Sequence, residues 1–287
     1  MKPFEFLAPK TLEEACSLLS ERKGEAKLIA GGQSLRPVMR HRLIAPECLI
    51  NLKGLSELNY IKELPGELKI GAITTHRAIE TSPIIGQKFP ILAEMERQVG
   101  SVQIRNWGTI GGSLAHADPA GDPAPALLAI GTKVKVVNTK GERELSLENF
   151  LTGYYETALD TDEILTEITI PYLPPNSGGS YLKEVIRAGD IGIATVAAIV
   201  TLNGKQGVKE AKFILGAQST PPIRAAQAER AAVGKRPGDN TTDVAEAAAK
   251  EANPQTDVIS SAEYKLDMVK SLTKRALSSA ITQAQAA

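Results

Sequence analysis

The chain has 287 residues, with 33 Lys+Arg against 33 Asp+Glu, and 43% of its residues are hydrophobic. That length exceeds one small core and points to two or three compact units. The zero net charge excludes a broad electrostatic pull onto nucleic acid or anionic membrane, and no apolar run approaches the roughly 20 residues that cross a bilayer.

The chain opens on MKPFEFLAPK, which lacks the apolar core of a signal peptide, so the expected location is cytoplasmic, with no transmembrane segment. Thr11-Leu-Glu-Glu14 matches a capping box, and Leu12, Ala15, Leu18 and Leu19 follow at helical spacing, which predicts a helix to about Arg22. A short strand, Ala26 to Ile29, empties into Gly31-Gly32-Gln33-Ser34-Leu35, and a basic stretch with Arg36, Arg40, His41 and Arg42 precedes a second strand, Cys48 to Leu52. Glu67 to Ile73 alternates as a strand, and Thr74 or Thr75 is placed to cap a helix carrying His76 and Ile79. Ile91 to Met95 is helical in pattern and leads through Gln103-Ile104-Arg105-Asn106 into Trp107-Gly108-Thr109-Ile110-Gly111-Gly112-Ser113. A short helix from Pro125 to Ile130 follows the loop Asp118 to Asp122, and Lys133 to Val137, the turn at Lys140-Gly141 and Glu163 to Ile170 read as strands of a mixed sheet.

Pro171, Pro174, Pro175 and Ser177-Gly178-Gly179 form the densest cluster of chain breakers and mark a domain boundary. Ile193 to Leu202 and Val208 to Gly216 flank Asn203-Gly204, a dipeptide that favours a tight hairpin. Beyond Ile223 apolar positions recur at helical spacing through Leu277, and the Ala-rich tail from Ser278 to Ala287 reads as a fraying helix end.

Cys16 and Cys48 form no CxxC pair, and His41, His76 and His116 stand apart from one another. No metal site and no iron–sulfur cluster can be built from such a set, and each histidine reads as structural or surface. The two glycine loops, Ala30 to Ser34 and Thr109 to Ser113, each offer consecutive backbone amides without a Cβ and end in a hydroxyl, which suits a phosphate. Neither fits a Rossmann or Walker pattern, and neither contains Lys or Arg. Taken singly, each could equally be a tight turn or a helix cap. No paired carboxylates, Ser/His/Asp set or reactive cysteine accompanies the loops, so no catalytic residue is assigned.

AGGQSL at 30–35, QIRNWGTIGGSLAHADPAGDPAPALLAIG at 103–131 and DEILTEITIP at 162–171 resemble the FAD-binding medium subunit of molybdenum hydroxylases, the xanthine dehydrogenase and carbon monoxide dehydrogenase family. The resemblance implies an α+β chain: a two-subdomain FAD-binding fold of the vanillyl-alcohol-oxidase type, followed by a C-terminal three-stranded antiparallel sheet with a helical bundle. The corresponding units are 1–57, 58–175 and 176–287. It also implies that Leu28, Ile29, Ala30, Gly31, Gly32, Gln33, Ser34 and Leu35, with Thr109, Ile110, Gly111, Gly112 and Ser113, hold the diphosphate and ribityl parts of FAD. By the same resemblance Asp122 lies near the adenosine half, Leu165 near the adenine and Lys183 near the flavin ring. Val99 stands where some relatives have Phe, and Ile191 where the carbon monoxide enzymes have Tyr and the xanthine enzymes Ile. Asp190 and Arg187 either fix the turn between them as an ion pair or stand beside the flavin.

The implied function is electron transfer from 2Fe-2S clusters on a small iron–sulfur subunit, through FAD, to an external acceptor. A large subunit carries the molybdenum cofactor, and the complex is expected to be a dimer of heterotrimers. Gln98 to Trp107, with Gln103, Arg105 and Trp107, is a candidate contact with the iron–sulfur subunit. The competing readings are a stand-alone flavin oxidase or reductase of the same fold and a flavin-free scaffold subunit.

Overall fold

The computed structural model describes residues 2–204, 207–218 and 221–286. The chain begins with β1 (Glu5–Leu7), α1 (Leu12–Glu21), β2 (Ala26–Ile29), α2 (Leu35–Arg40) and β3 (Cys48–Asn51), and the three strands form a parallel sheet in the order β1-β3-β2. Thr11 caps α1 by accepting the Glu14 amide at 3.2 Å, while the Glu14 carboxylate reaches back to the Lys10 amide at 2.7 Å. Ala15, Cys16 and Leu19 turn the buried face of α1 onto Ile50 and Leu52.

The middle of the chain runs through β4 (Ile61–Leu64), β5 (Glu67–Gly71), α3 (His76–Glu80), α4 (Pro83–Lys88), α5 (Pro90–Arg97), α6 (Val102–Trp107), α7 (Ile110–His116) and α8 (Pro123–Ile130). It continues with β6 (Lys133–Asn138), β7 (Gly141–Ser146), α9 (Leu147–Phe150), β8 (Leu151–Gly153), β9 (Glu156–Thr157) and β10 (Ile164–Pro171). The five-stranded sheet, ordered β4-β5-β10-β6-β7, is antiparallel at every pairing rather than mixed. Tight hairpins make β4–β5 and β6–β7 antiparallel, and β10 returns between them against both β5 and β6.

The last part holds β11 (Ser177–Glu184), β12 (Ala194–Leu202), β13 (Val208–Gly216), β14 (Ile223–Arg224), α10 (Ala226–Ala232), α11 (Thr242–Glu251) and α12 (Ala262–Ala286). The three long strands are antiparallel, and the two-residue β14 adds a fourth at the edge. The connection after β12 is wider than a two-residue Asn-Gly turn: Asn203 N–H bonds the Gly207 carbonyl at 2.8 Å. The sequence ATVAAIVTL of β12 is apolar throughout because both its faces are covered. Ala194, Val196, Ala198 and Val200 face α10, α11 and α12, while Ala197 and Ile199 join the core built on α5 and α8. The tail does not fray: α12 runs to Ala286, and Ala280, Ile281 and Ala284 are buried. Their spacing continues the apolar stripe of Val269, Leu272, Ala276 and Leu277, so packing rather than alanine content decides the helix end.

Candidate functional site

The first glycine loop leaves β2 at Ile29, whose carbonyl accepts the Leu52 amide at 2.8 Å, and turns through Gly32 at φ +67° into α2. All residues from Leu28 to Leu35 are half-buried. The amides of Gly31 to Leu35 find no acceptor among the described residues, and Gln33 Nε2 bonds the Gly31 carbonyl at 3.0 Å. Gly31 has to be glycine for a packing reason: a Cβ there would overlap the Trp107 carbonyl and lie 2.8 Å from Gly108 Cα. The first loop therefore rests directly on Trp107-Gly108, the two residues that lead into the second.

The second loop differs from what its sequence led us to expect. Its amides are not free: Ile110 N–H bonds Thr74 O at 3.0 Å, Gly111 N–H bonds Ala72 O at 2.9 Å, and Ser113 N–H bonds Thr109 O at 2.9 Å. Gly112 N–H is taken by the capping Thr109 hydroxyl at 3.1 Å. Gly111 has no Cβ because α7 lies on Ala72, whose own Cβ would be 2.5 Å away. This loop contributes an exposed glycine surface at Gly112 and the half-buried Ser113, not a row of amides.

Asp122 and Lys183 are not separated, although the resemblance places them toward opposite halves of the cofactor. Lys183 Nζ contacts Asp122 Oδ2 at 2.9 Å and donates to the Gln98 carbonyl at 3.1 Å, and the Tyr181 hydroxyl donates to Asp122 Oδ1 at 2.7 Å. Both oxygens are engaged and only 8% of the residue is exposed, so Asp122 is turned toward Lys183 and Tyr181, with one further lone pair left on each oxygen. Burial pushes the Asp122 carboxyl up, against the pull of Lys183 and Tyr181.

Val99 is buried in the central core and Leu165 is buried on β10. Ile191 is 62% exposed. The turn before it packs on the segment after Val99, since a Cβ on Gly189 would stand 3.2 Å from Gly100 O. Asp190 fixes that turn through backbone rather than an ion pair: its Oδ2 accepts the Arg187 amide at 3.2 Å, and no Asp190–Arg187 salt bridge occurs among the described residues. Arg105 is no docking residue. It is 8% exposed, pairs with Glu80 at 2.9 Å and donates to the Val99 and Gly100 carbonyls. Trp107 is 52% exposed, with Lys53 Nζ 3.2 Å above its ring.

Sequence reading missed one buried pair. His76 Nδ1 lies 2.8 Å from Glu96 Oε2, Glu96 is fully buried, and its Oε1 has no hydrogen-bond partner among the described residues. Burial pulls the imidazole down, but Glu96 and Asp122 outweigh it and leave it raised; burial raises the Glu96 carboxyl. The available signal was spacing, because Glu96 stands at helical distance from Leu92 and Val99, an acid on an apolar stripe. Among the described residues no group of metal-ligating side chains assembles.

The junction suits an anionic cofactor: half-buried amides without acceptors, glycine on both sides and no carboxylate within 28–35 or 109–113. A family model for the FAD binding domain in molybdopterin dehydrogenase matches residues 2–173, and one for the CO dehydrogenase flavoprotein C-terminal domain matches 180–280. The chain belongs to the FAD-binding medium-subunit family of molybdenum hydroxylases. Family members similar to it include the nicotine 6-hydroxylase medium subunit of Paenarthrobacter nicotinovorans, 34% identical over 95% of both chains. Another is the glyceraldehyde dehydrogenase medium chain of Sulfolobus acidocaldarius, 32% identical over 95% of this chain and 96% of that one. Among solved members, a carbon monoxide dehydrogenase from Hydrogenophaga pseudoflava superposes with a TM-score of 0.94 at 34% identity, covering 99% of each chain. Family membership makes the chain an FAD-binding oxidoreductase subunit.

Proposed function

We propose that the chain holds FAD at the junction of the two glycine loops and relays electrons within a heterotrimeric molybdenum hydroxylase. The observation that carries this reading is the set of acceptor-free amides from Gly31 to Leu35, held against Trp107-Gly108 by the bare Gly31. These amides, with the Ser34 and Ser113 hydroxyls, would bind the diphosphate. The Asp122–Lys183–Tyr181 group and the neighbouring Val99 and Ile191 segments would line the flavin end, and Leu165 the adenine end. Bound there, FAD supplies electron transfer between an iron–sulfur donor and an external acceptor. The chain's own part is to fix its position and to control access at the exposed Ile191.

The donor clusters, two 2Fe-2S centres, belong to a small partner subunit, and the substrate is oxidised at a molybdenum cofactor on a large one. Val102, Ile104 and Trp107, exposed along α6, form the face offered to the iron–sulfur subunit. We assign the units 1–57, 58–175 and 176–287 to the two FAD subdomains and the C-terminal domain, in a cytoplasmic dimer of heterotrimers; no helix among the described residues is long and apolar enough to cross a membrane.

The absorption spectrum of the purified chain tests the first step: flavin bands, with FAD released on denaturation, are expected. A folded, colourless chain that takes up no added FAD refutes the reading. Copurification with molybdenum and iron–sulfur subunits tests the second step.

A further inference from the structure

We propose that His76 is a further binding residue of the glycine-loop junction, its Nε2 supplying the cationic hydrogen-bond donor that neither loop carries. The inference rests on the reading that a diphosphate is held there. Leu28 to Leu35 and Thr109 to Ser113 contain no Lys or Arg, so within the loops only amides and hydroxyls meet a doubly charged group; the nearest cation by sequence, Arg36, lays its stem over Gly32, where a Cβ would stand 3.0 Å from Cδ. The imidazole lies where one could act. Its Nδ1 is fixed by Glu96 at 2.8 Å, and its backbone N–H bonds Gly108 O at 3.0 Å. The opposite edge of the ring faces Gly108, where a Cβ would stand 3.0 Å from Cδ2 and 3.5 Å from Nε2. Gly108 is also the residue on which Gly31 rests. Nε2 has no hydrogen-bond partner among the described residues, and the side chain is 4% exposed.

The charges around the ring favour the imidazolium. Glu96 on α5 and Asp122 at the start of α8 raise its proton affinity, while burial and Arg105 on α6 lower it. On its own helix Arg77 and Glu80 are engaged with each other, and Glu80 also with Arg105. Lys88 on α4 lies over Tyr172 instead. A carboxylate behind Nδ1 leaves Nε2–H as a charge-assisted donor, as second-sphere carboxylates do for other working imidazoles.

The test titrates the chain, freed of flavin, with FAD and with riboflavin, which lacks phosphate. Unaltered, His76→Phe, His76→Gln and Glu96→Gln forms are compared at about pH 6 and about pH 9, on either side of an imidazole titration. Folding of each variant is checked by its melting temperature. The unaltered chain should bind FAD more weakly at the higher pH. His76→Phe should bind it about tenfold more weakly at the lower pH, the size of one charge-assisted hydrogen bond, and lose the pH response. His76→Gln, a neutral donor, should fall between them, and riboflavin binding should not change.

A second readout uses the unaltered chain: 15N-imidazole signals of His76 should move when inorganic pyrophosphate is added. Equal FAD affinity and pH response in a folded His76→Phe variant, or unmoved His76 signals, overturns the assignment while leaving the cofactor reading intact. Failure of the folded, unaltered chain to bind FAD refutes both.

Discussion

Lys183 on β11 and Asp122 at the head of α8 meet at 2.9 Å, with 2% and 9% of their side chains exposed. The C-terminal sheet thereby grips α8 at its N-terminus, and Lys212 on β13 donates to the Leu128 carbonyl near its other end at 3.4 Å. A buried ion pair contributes little net energy over an apolar pair, but removing one partner leaves a charge stranded. Lys183→Met should therefore destabilise the chain by about 3 kcal/mol. The double variant Asp122→Asn/Lys183→Met should lose clearly less than the sum of the two single changes. Denaturant unfolding of the four proteins measures the coupling, and additive losses would mean that the contact is incidental.

Gly31→Ala puts a methyl into the Trp107 carbonyl and must push the two loops apart. Overpacking of this kind costs about 1–3 kcal/mol. Flavin content should fall with it, since the amides of Gly31 to Leu35 move relative to α7. Gly86→Ala on α4, where a Cβ meets nothing within 4 Å and φ is ordinary, is the control and should be neutral or slightly stabilising. Absorbance of bound flavin per folded chain reports the difference.

The sequence carried the elements and much less of the contacts between them. Thr11 and Thr75 cap helices at positions that local chemistry predicts, and the 30–35 loop meets Trp107-Gly108 at the entrance to the 109–113 loop, as two halves of one site require. Not legible was which of their amides are free. Gly111 and Ile110 look identical in composition to a phosphate nest, yet Ala72 and Thr74, on another strand's exit, take their hydrogen bonds. Nor could spacing reveal that Asp122 would find Lys183, or that Arg105 would turn inward to Glu80, because both pairings depend on how separate elements pack. The tail departs from its composition for a similar reason: alanine content suggests fraying, while the stripe of Ala280, Ile281 and Ala284 has a sheet to rest on.

Arg143 and Glu163 form a two-pronged pair, with Nε and Nη2 each 2.6 Å from a carboxylate oxygen. Arg143 holds the Glu163 carboxyl below its ordinary range, helped by the Asp160 amide and opposed by burial. A depressed carboxyl stabilises the fold above its unfolded value and loses that contribution as pH falls through the folded one. Arg143→Gln should cost about 1–2 kcal/mol at neutral pH, a figure kept small because the guanidinium is 41% exposed and screened. The difference from the unaltered chain should shrink below about pH 4, the unperturbed glutamate range. Unfolding curves collected across that interval check it, and a pH-independent gap would show that Arg143 acts through packing alone.

The end of α12 gives the sharpest test of packing against composition. Ala280, Ile281 and Ala284 are buried to within 2% exposure, whereas Thr282, between two of them, points to solvent. Gly178 on β11 lies so close that a Cβ there would overlap the Ala280 carbonyl, so the helix and the strand approach backbone to backbone. Ile281→Ala should then cost about 2–5 kcal/mol, the range for emptying a filled core position. Thr282→Ala should change stability by no more than about 0.5 kcal/mol, its hydroxyl donating to the Ser278 carbonyl one turn back. Ending the chain after Leu277 removes all three contacts and uncovers the Gly178 face of β11, so it should cost at least as much as Ile281→Ala. Urea unfolding of the three variants decides the point: if the shortened chain kept full stability, the last turns of α12 would be fraying as their composition suggests.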